Sequence, residues 1–128
     1  MADNITANTR LRCVAGSATK AEYNAGKIIV PPDSARTYAV VGGWMRSTGN
    51  LTEATSIDIC STAGTPVVNV AVAAAQLTNG TLAPFNGTAT RTTYGVANVK
   101  GDGLQILSVG TDESTATVCD YCVFYVAV

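Results

Sequence analysis

The sequence contains no histidine, and this absence excludes several kinds of chemistry. Ser-His-Asp and Cys-His catalysis, histidine metal sites and the commonest general base all require an imidazole. Carboxylates would have to replace it, but the acidic candidates lie in predicted turns, where such side chains usually cap the backbone. These candidates are Asp33, Asp102, Asp112 and Glu113. We therefore predict a protein that is not an enzyme and has no cofactor.

Charge is also scarce, since charged residues make up 13% of the chain and the net charge is −1. Ordinary soluble surfaces depend on charge, so part of this surface is expected to face protein. A surface rich in Thr, Ser and Asn is the alternative. The eight Lys and Arg residues are scattered, so no nucleic acid partner is expected. No apolar run approaches the length of a membrane span, so no membrane partner is expected either.

The first residues, MADNITANTRLRC, contain neither a basic head nor an apolar stretch. We therefore expect no signal peptide and predict folding in a cytoplasm. Residues 1–9 are polar and lack alternation, which is typical of a flexible N-terminal arm. Residues 10–128 are predicted to form a single domain, because they contain no linker and have single-domain length.

What the sequence does contain is a β pattern, because Val, Ile, Thr and Tyr dominate the segments between turns. The clearest alternation is TSIDICS, where Ile57 and Ile59 alternate with Ser56, Asp58 and Cys60, so Asp58 is expected to be solvated. The pattern predicts strands at residues 9–16, 27–32, 36–47, 55–61, 66–72, 92–100, 104–110 and 116–128. At most one short helix is expected, near residues 73–76. About eight short strands separated by turns indicate an all-β jelly-roll β-sandwich.

The cysteines are the remaining candidates for chemistry, at positions 13, 60, 119 and 122. The motif CDYC resembles half of a zinc ribbon or a redox pair. Its flanks are strand-like, however, and residues three apart in a strand point to opposite faces. Cys13 and Cys60 are isolated in the sequence, and no second paired motif exists. We predict four free, reduced thiols with no metal.

The last strand, within DYCVFYVAV, carries a single charge, at Asp120, so neither face is typical of a solvent-facing surface. One face consists of Tyr121, Val123 and Tyr125. The other consists of Cys122, Phe124 and Val126. We predict that the first face packs against a neighbouring subunit, because uncharged aromatic patches favour interfaces, and that the second fills the core. The alternatives are the reverse assignment and a cover supplied by a loop of the same chain.

Two stretches resemble the small jelly-roll head decoration, or cement, proteins of tailed bacteriophages. They are TGNLTEATSIDICSTAGTPVVNVAVAAAQLTNGT and GDGLQILSVGTDESTATVCDYCVFYVAV. The likeness lies in the order of an ATSIDI strand, a STAGTP loop, an Ala-rich piece ending in LTNG, a GDG turn, an ILSVG strand and an aromatic last strand. It extends over residues 37–128, and the cysteines are not part of it.

The resemblance implies a structural protein that binds the outer surface of an assembled phage head and stabilises contacts between major capsid subunits. It also implies a homo-dimer or homo-trimer without active site or cofactor, made in the host cytoplasm and located on the virion. For the N-terminal arm we predict capsid contacts through Asn4, Ile5, Asn8 and Arg10.

Two other functions stay open. A shell-forming viral jelly-roll capsid subunit would more often carry a basic arm, whereas this N-terminus has only Arg10 and Arg12. A carbohydrate-binding β-sandwich module of a phage tail fibre would need exposed aromatic residues. The only tryptophan, Trp44, is expected instead in the core or an interface.

Overall fold

The computed structural model describes residues 11–86 and 98–127, which form a β-sandwich. Its strands are β1 (Leu11–Thr19), β2 (Lys27–Val30), β3 (Tyr38–Thr48), β4 (Ala54–Ser61), β5 (Val68–Ala73), β6 (Ala83–Asn86), β7 (Leu104–Gly110) and β8 (Val118–Ala127). A six-residue helix, α1 (Lys20–Ala25), follows β1, and a 3₁₀ turn (Ala74–Gln76) follows β5.

The strands form two four-stranded antiparallel sheets. Sheet one has the order β1-β8-β3-β6, and sheet two has the order β2-β7-β4-β5. Within the described chain, only β4 and β5 are consecutive strands that pair in the same sheet, and the other connections cross between sheets. This is the strand order of a jelly roll, which is built from two Greek keys. The predicted fold class is therefore confirmed.

The core lies between the two sheets, and its residues come from alternate positions of the long strands. Ile57 and Ile59 of β4 face Val40 and Met45 of β3 across one continuous cluster, and all four side chains are fully buried. Burying an aliphatic side chain of this size contributes roughly 1.5–3 kcal/mol. The alternation in TSIDICS thus defines the inner face of β4.

A bulge in β3 brings this strand close to β8. The register shifts between Val40 and Gly42, and Gly43 follows with a φ of 151°. A Cβ atom at Gly43 would overlap the carbonyl oxygen of Cys122. The Gly42-Gly43 pair therefore permits both the backbone conformation and the close approach of the two strands.

Helix α1 was not predicted, although the sequence contains its signal. Thr19 and Glu22 form a capping box, in which the Glu22 N–H donates to Thr19 Oγ1 and the Thr19 N–H donates to Glu22 Oε1. Tyr23 in this helix is fully buried and donates its hydroxyl to the Ala116 carbonyl. The helix predicted near residues 73–76 is present as the 3₁₀ turn at Ala74–Gln76.

Strand β6 was also missed, because Pro84 and the following Gly87 indicate a loop. β6 lies at the edge of sheet one, where a residue without an N–H group is tolerated. Of the strand predicted at residues 92–100, the structure describes residues 98–100, and these are not in a strand. The predicted arm at residues 1–9 lies outside the described residues.

Candidate interaction surface

The inner face of β8 is part of the core of the sandwich. The side chains of Tyr121, Val123 and Tyr125 are 4%, 0% and 9% exposed, and Tyr125 packs edge-to-face on Tyr38 at 5.7 Å between ring centroids. The prediction that these three residues form a subunit interface is therefore wrong, since sheet two already covers them. Periodicity separated the two faces of β8 correctly but could not distinguish the inner from the outer one.

The outer face of β8 belongs to an apolar surface of sheet one. Phe124, which was predicted in the core, is 36% exposed. Cys122 and Val126 also point outward but are buried among their neighbours, Val126 together with Ala39. Because β8 lies between β1 and β3, the side chains of both strands shield it laterally.

Three apolar rows cross this outer face, as the strand register shows. They are Leu11–Val126–Ala39, then Cys13–Phe124–Gly42, which the exposed polar residue Asn86 of β6 ends, then Ala15–Cys122–Trp44–Pro84. We name this surface the apolar face. Leu11 is 56% exposed, and Trp44 is half-buried on the surface, not in the core. Exposed apolar side chains that share one face of a sheet, as Leu11 and Phe124 do, are typical of a site for contact with another molecule.

A polar row borders the apolar face and consists of Ser17, Asp120 and Arg46. Ser17 Oγ donates to Asp120 Oδ1 at 2.6 Å, and Arg46 Nη2 contacts Asp120 Oδ2 at 3.2 Å. The hydrogen bond from Ser17, with help from Arg46, holds the pKa of Asp120 below its ordinary value. An apolar centre with a hydrogen-bonded polar margin is the usual arrangement of a protein interface.

The outer face of sheet two is apolar as well, but it contains no aromatic side chain among the described residues. Its exposed aliphatic residues are Ile28, Val68 and Val109. Asp58 lies on the same face and was expected to be solvated, yet it is only 4% exposed. Ser56 Oγ donates to its Oδ1 at 2.7 Å, and burial raises the pKa of this carboxyl.

Glu113 organises two loops at one end of the sandwich. Its Oε1 accepts the N–H groups of Thr52, Glu53 and Ala54, and its Oε2 accepts those of Thr115 and Ala116. The side chain is 2% exposed. Burial raises the pKa of Glu113, but the backbone donors outweigh this effect and the pKa lies below its ordinary value.

The expectation that these turn carboxylates serve the backbone is confirmed for Glu113 and for Asp33. Asp33 Oδ1 accepts the N–H group of Ala35 at 2.9 Å. Asp102 lies in a turn closed by its own N–H group, which donates to the Val99 carbonyl, and Asp112 is exposed in the loop before β8. The fold distributes these four acidic residues over three loops, since Asp112 and Glu113 are neighbours in the loop before β8.

The two thiols of CDYC point to opposite sides of sheet one, as their spacing predicted. Cys119 is fully buried in the core, whereas Cys122 lies on the outer face. Cys13 is not isolated, because its Sγ lies 3.4 Å from Cys122 Sγ. Within residues 11–86 and 98–127, no three Cys, Asp or Glu side chains are grouped closely enough to hold a metal ion.

Sequence reasoning missed the apolar face because its residues come from four strands. One signal was present in LRCVA at the start of β1. Leu11, Cys13 and Ala15 occupy alternate positions there, so a strand places these three apolar residues on one face. The predicted arm contacts Asn4, Ile5, Asn8 and Arg10 lie outside the described residues, so they stay predictions.

None of the helices that the structure describes combines the length and the apolar character needed to cross a membrane. Comparison with protein-family models, with curated proteins and with solved structures finds no match for this chain.

Proposed function

We propose that this protein is a capsid decoration, or cement, protein of a tailed bacteriophage. In this role it binds the outer surface of the assembled head, stabilises contacts between major capsid subunits and performs no catalysis. It is made in the host cytoplasm, acts on the virion and forms a homo-dimer or homo-trimer. The sequence resemblance over residues 37–128 supports this proposal, and the jelly-roll strand order agrees with it.

The observation that carries the proposal is the apolar face of sheet one. Phe124 is partly exposed at its centre, Leu11 is exposed at one edge, and the Asp120–Arg46 pair borders it. Burying Phe124 and Leu11 against a second protein removes apolar surface from water. Each Å² of apolar surface that is buried stabilises the complex by roughly 25 cal/mol. This surface replaces the inner face of β8 as the proposed contact between subunits, while the N-terminal arm remains the proposed contact with the capsid.

A carbohydrate-binding module is the second candidate, because Trp44 and Phe124 are diagonal neighbours on the outer face of sheet one. Aromatic side chains on the outer face of a sheet are suited to stacking on apolar faces of sugar rings, and jelly rolls include lectin domains. A glycan array separates the two functions. Glycan binding that is lost in the Trp44→Ala variant, in a protein that does not bind phage heads, would favour the carbohydrate-binding function.

The proposed self-association is tested by sedimentation of two matched variants. Phe124→Asp places a charge at the centre of the apolar face, and we expect it to convert the oligomer into a folded monomer. Val109→Asp makes the same kind of change on the outer face of sheet two, where Val109 is 40% exposed. We expect this control to stay oligomeric. A monomeric wild type, or dissociation by Val109→Asp alone, would contradict the assignment of the contact surface.

Attachment to the shell is tested by co-sedimentation with emptied, expanded phage heads. The wild type is expected to bind saturably, and unexpanded heads serve as the control. A chain that lacks residues 2–8 should keep its fold and bind more weakly if the arm contacts the capsid. An oligomer that binds no heads would leave the self-association intact but overturn the decoration function.

A further inference from the structure

Two thiols from opposite ends of the chain meet on the outer face of sheet one. The Sγ atoms of Cys13 in β1 and Cys122 in β8 lie 3.4 Å apart, although 109 positions separate the residues. In the register of these strands Cys13 lies opposite Phe124, and Cys122 lies opposite Ala15. The two cysteines are therefore diagonal neighbours on one face, and pairing of the first strand with the last creates the contact.

We infer that Cys13 and Cys122 form a redox-active dithiol site, and that a low-molecular-weight disulfide such as oxidised glutathione is its substrate. Oxidation produces an intramolecular disulfide that joins β1 to β8. Cys60 and Cys119 take no part, because they are 1% and 0% exposed. Burial is the main reason that the pKa of each of these two thiols is raised to about 12.

The geometry allows the bond to form with a small movement. A disulfide has an S–S distance of about 2.05 Å, so the two Sγ atoms must approach by roughly 1.3 Å from their separation of 3.4 Å. Among the strands that the structure describes, β1 lies at the edge of sheet one and pairs with β8 alone. An edge strand can shift more easily than a strand held on both sides, so β1 supplies the movement.

The difference in exposure determines the order of the two exchange steps. Cys13 is exposed, whereas Cys122 is 9% exposed, and burial together with the neighbouring Cys13 raises the pKa of Cys122. The Cys13 thiolate therefore attacks the small disulfide first, forming a mixed disulfide and releasing one small thiolate.

Cys122 completes the reaction. It loses its proton to solvent, and its thiolate attacks Cys13 Sγ and displaces the second small thiolate. Two protein thiols are thus oxidised while one small disulfide is reduced to two thiols. The bond is absent in a reducing cytoplasm and forms in an oxidising medium.

This inference depends on contacts within one chain and does not depend on the proposed function. Cys13 lies on the apolar face, however, so self-association there would cover it. The reaction is therefore carried out at a protein concentration at which sedimentation shows a monomer. With this precaution, failure of the dithiol site and failure of the decoration function are separate results.

The experiment treats the full chain with excess oxidised glutathione at pH 8. Thiols that can be titrated after denaturation are expected to fall from the four in the sequence to two. Peptide mapping should identify a Cys13–Cys122 bond. The melting temperature should rise by about 5–10 °C, because the bond closes a loop that spans most of the chain.

Two serine variants test the two exchange steps, one variant for each step. Cys13→Ser removes the attacking thiol at an exposed position, so its three remaining thiols should persist and its melting temperature should not rise. Cys122→Ser removes the resolving thiol, so a stable glutathione adduct should accumulate on Cys13.

Several results would overturn the inference. They are a persistent glutathione adduct on the wild-type Cys13, four thiols that survive the treatment, a bond that includes Cys60 or Cys119, and covalent dimers in place of the internal bond. A melting temperature that does not rise in the bridged protein would refute the claim that the bond holds β1 on β8.

Discussion

The outer faces of the two sheets differ in a way that their composition does not reveal. Both are apolar, and both contain one aspartate on a central strand. On sheet one Asp120 is paired with Ser17 and Arg46 at the margin of the surface. On sheet two Asp58 is buried among aliphatic neighbours and accepts a hydrogen bond from Ser56.

This difference indicates which outer face is better suited to contact another protein. Sheet one combines a partly exposed phenylalanine and tryptophan with a margin of paired charge, which resembles the centre and rim of a protein interface. Sheet two exposes aliphatic side chains such as Ile28 and Val109 and no aromatic one in the described part of this face, and its single charge lies in the middle. A charge at that position disfavours close packing of a partner, because the partner would desolvate it further.

The largest expected effect comes from placing a charge on the inner face of β8 and comparing it with the same change on the outer face. Val123→Asp puts a charge into the core, where the side chain is 0% exposed, and should prevent folding, since an unpaired buried charge costs several kcal/mol. Phe124→Asp, one position further, should fold, because Phe124 is 36% exposed. Circular dichroism and urea titration measure both. A folded Val123→Asp together with an unfolded Phe124→Asp would show that the faces are reversed.

An intermediate effect is expected where β3 approaches β8. Gly43→Ala should destabilise the protein by about 1–3 kcal/mol, because the added Cβ overlaps the Cys122 carbonyl oxygen and the φ of 151° disfavours a side chain. Gly64→Ala is the matched control, since nothing lies within 4 Å of a Cβ atom there. Its free energy of unfolding should stay within about 0.5 kcal/mol of the wild type. Equal stability of the two variants would mean that the strands tolerate a wider separation.

The smallest effects are expected for substitutions of Asp58 and Asp120, which should change the pH dependence of the free energy of unfolding in opposite ways. The pKa of Asp58 is raised in the folded state by burial, so its negative charge destabilises the fold once pH rises through the folded-state value. Asp58→Asn should therefore increase stability near neutral pH. The pKa of Asp120 is lowered, mainly by Ser17, so its charge stabilises the fold above the unfolded value of about 4. Asp120→Asn should therefore decrease stability near neutral pH.

Both differences are expected to be smaller than the effects above, and that of Asp120→Asn should be about 1 kcal/mol or less, because Asp120 is partly exposed and surface pairs contribute little. Urea titrations at pH 7 and pH 3 measure them. The two differences should have opposite signs at pH 7 and both should shrink at pH 3. The loss should be nearly complete for Asp58, whose raised pKa leaves it mostly neutral, and partial for Asp120, whose lowered pKa preserves more of its charge. Differences of the same sign at pH 7 would remove the electrostatic distinction between the two faces.

Much of the fold could be predicted because β-strands have a simple period. The alternation of Ile57 and Ile59 identified the inner face of β4, and the spacing of CDYC placed Cys119 and Cys122 on opposite sides of β8. The predictions failed where a short element depends on local hydrogen bonds or on its position in a sheet. Helix α1 depends on the Thr19–Glu22 capping box, and β6 tolerates Pro84 only because it lies at an edge.

The sequence by itself determined an all-β chain, the absence of an imidazole for catalysis, and two distinct faces on the last strand. Only the tertiary structure decided which face is inside, because a period of two is symmetric and inside is defined by the opposite sheet. The same holds for the apolar face and for the contact of Cys13 with Cys122. Both arise from pairing of the first strand with the last, and a contact between residues 109 positions apart leaves no local pattern in the sequence.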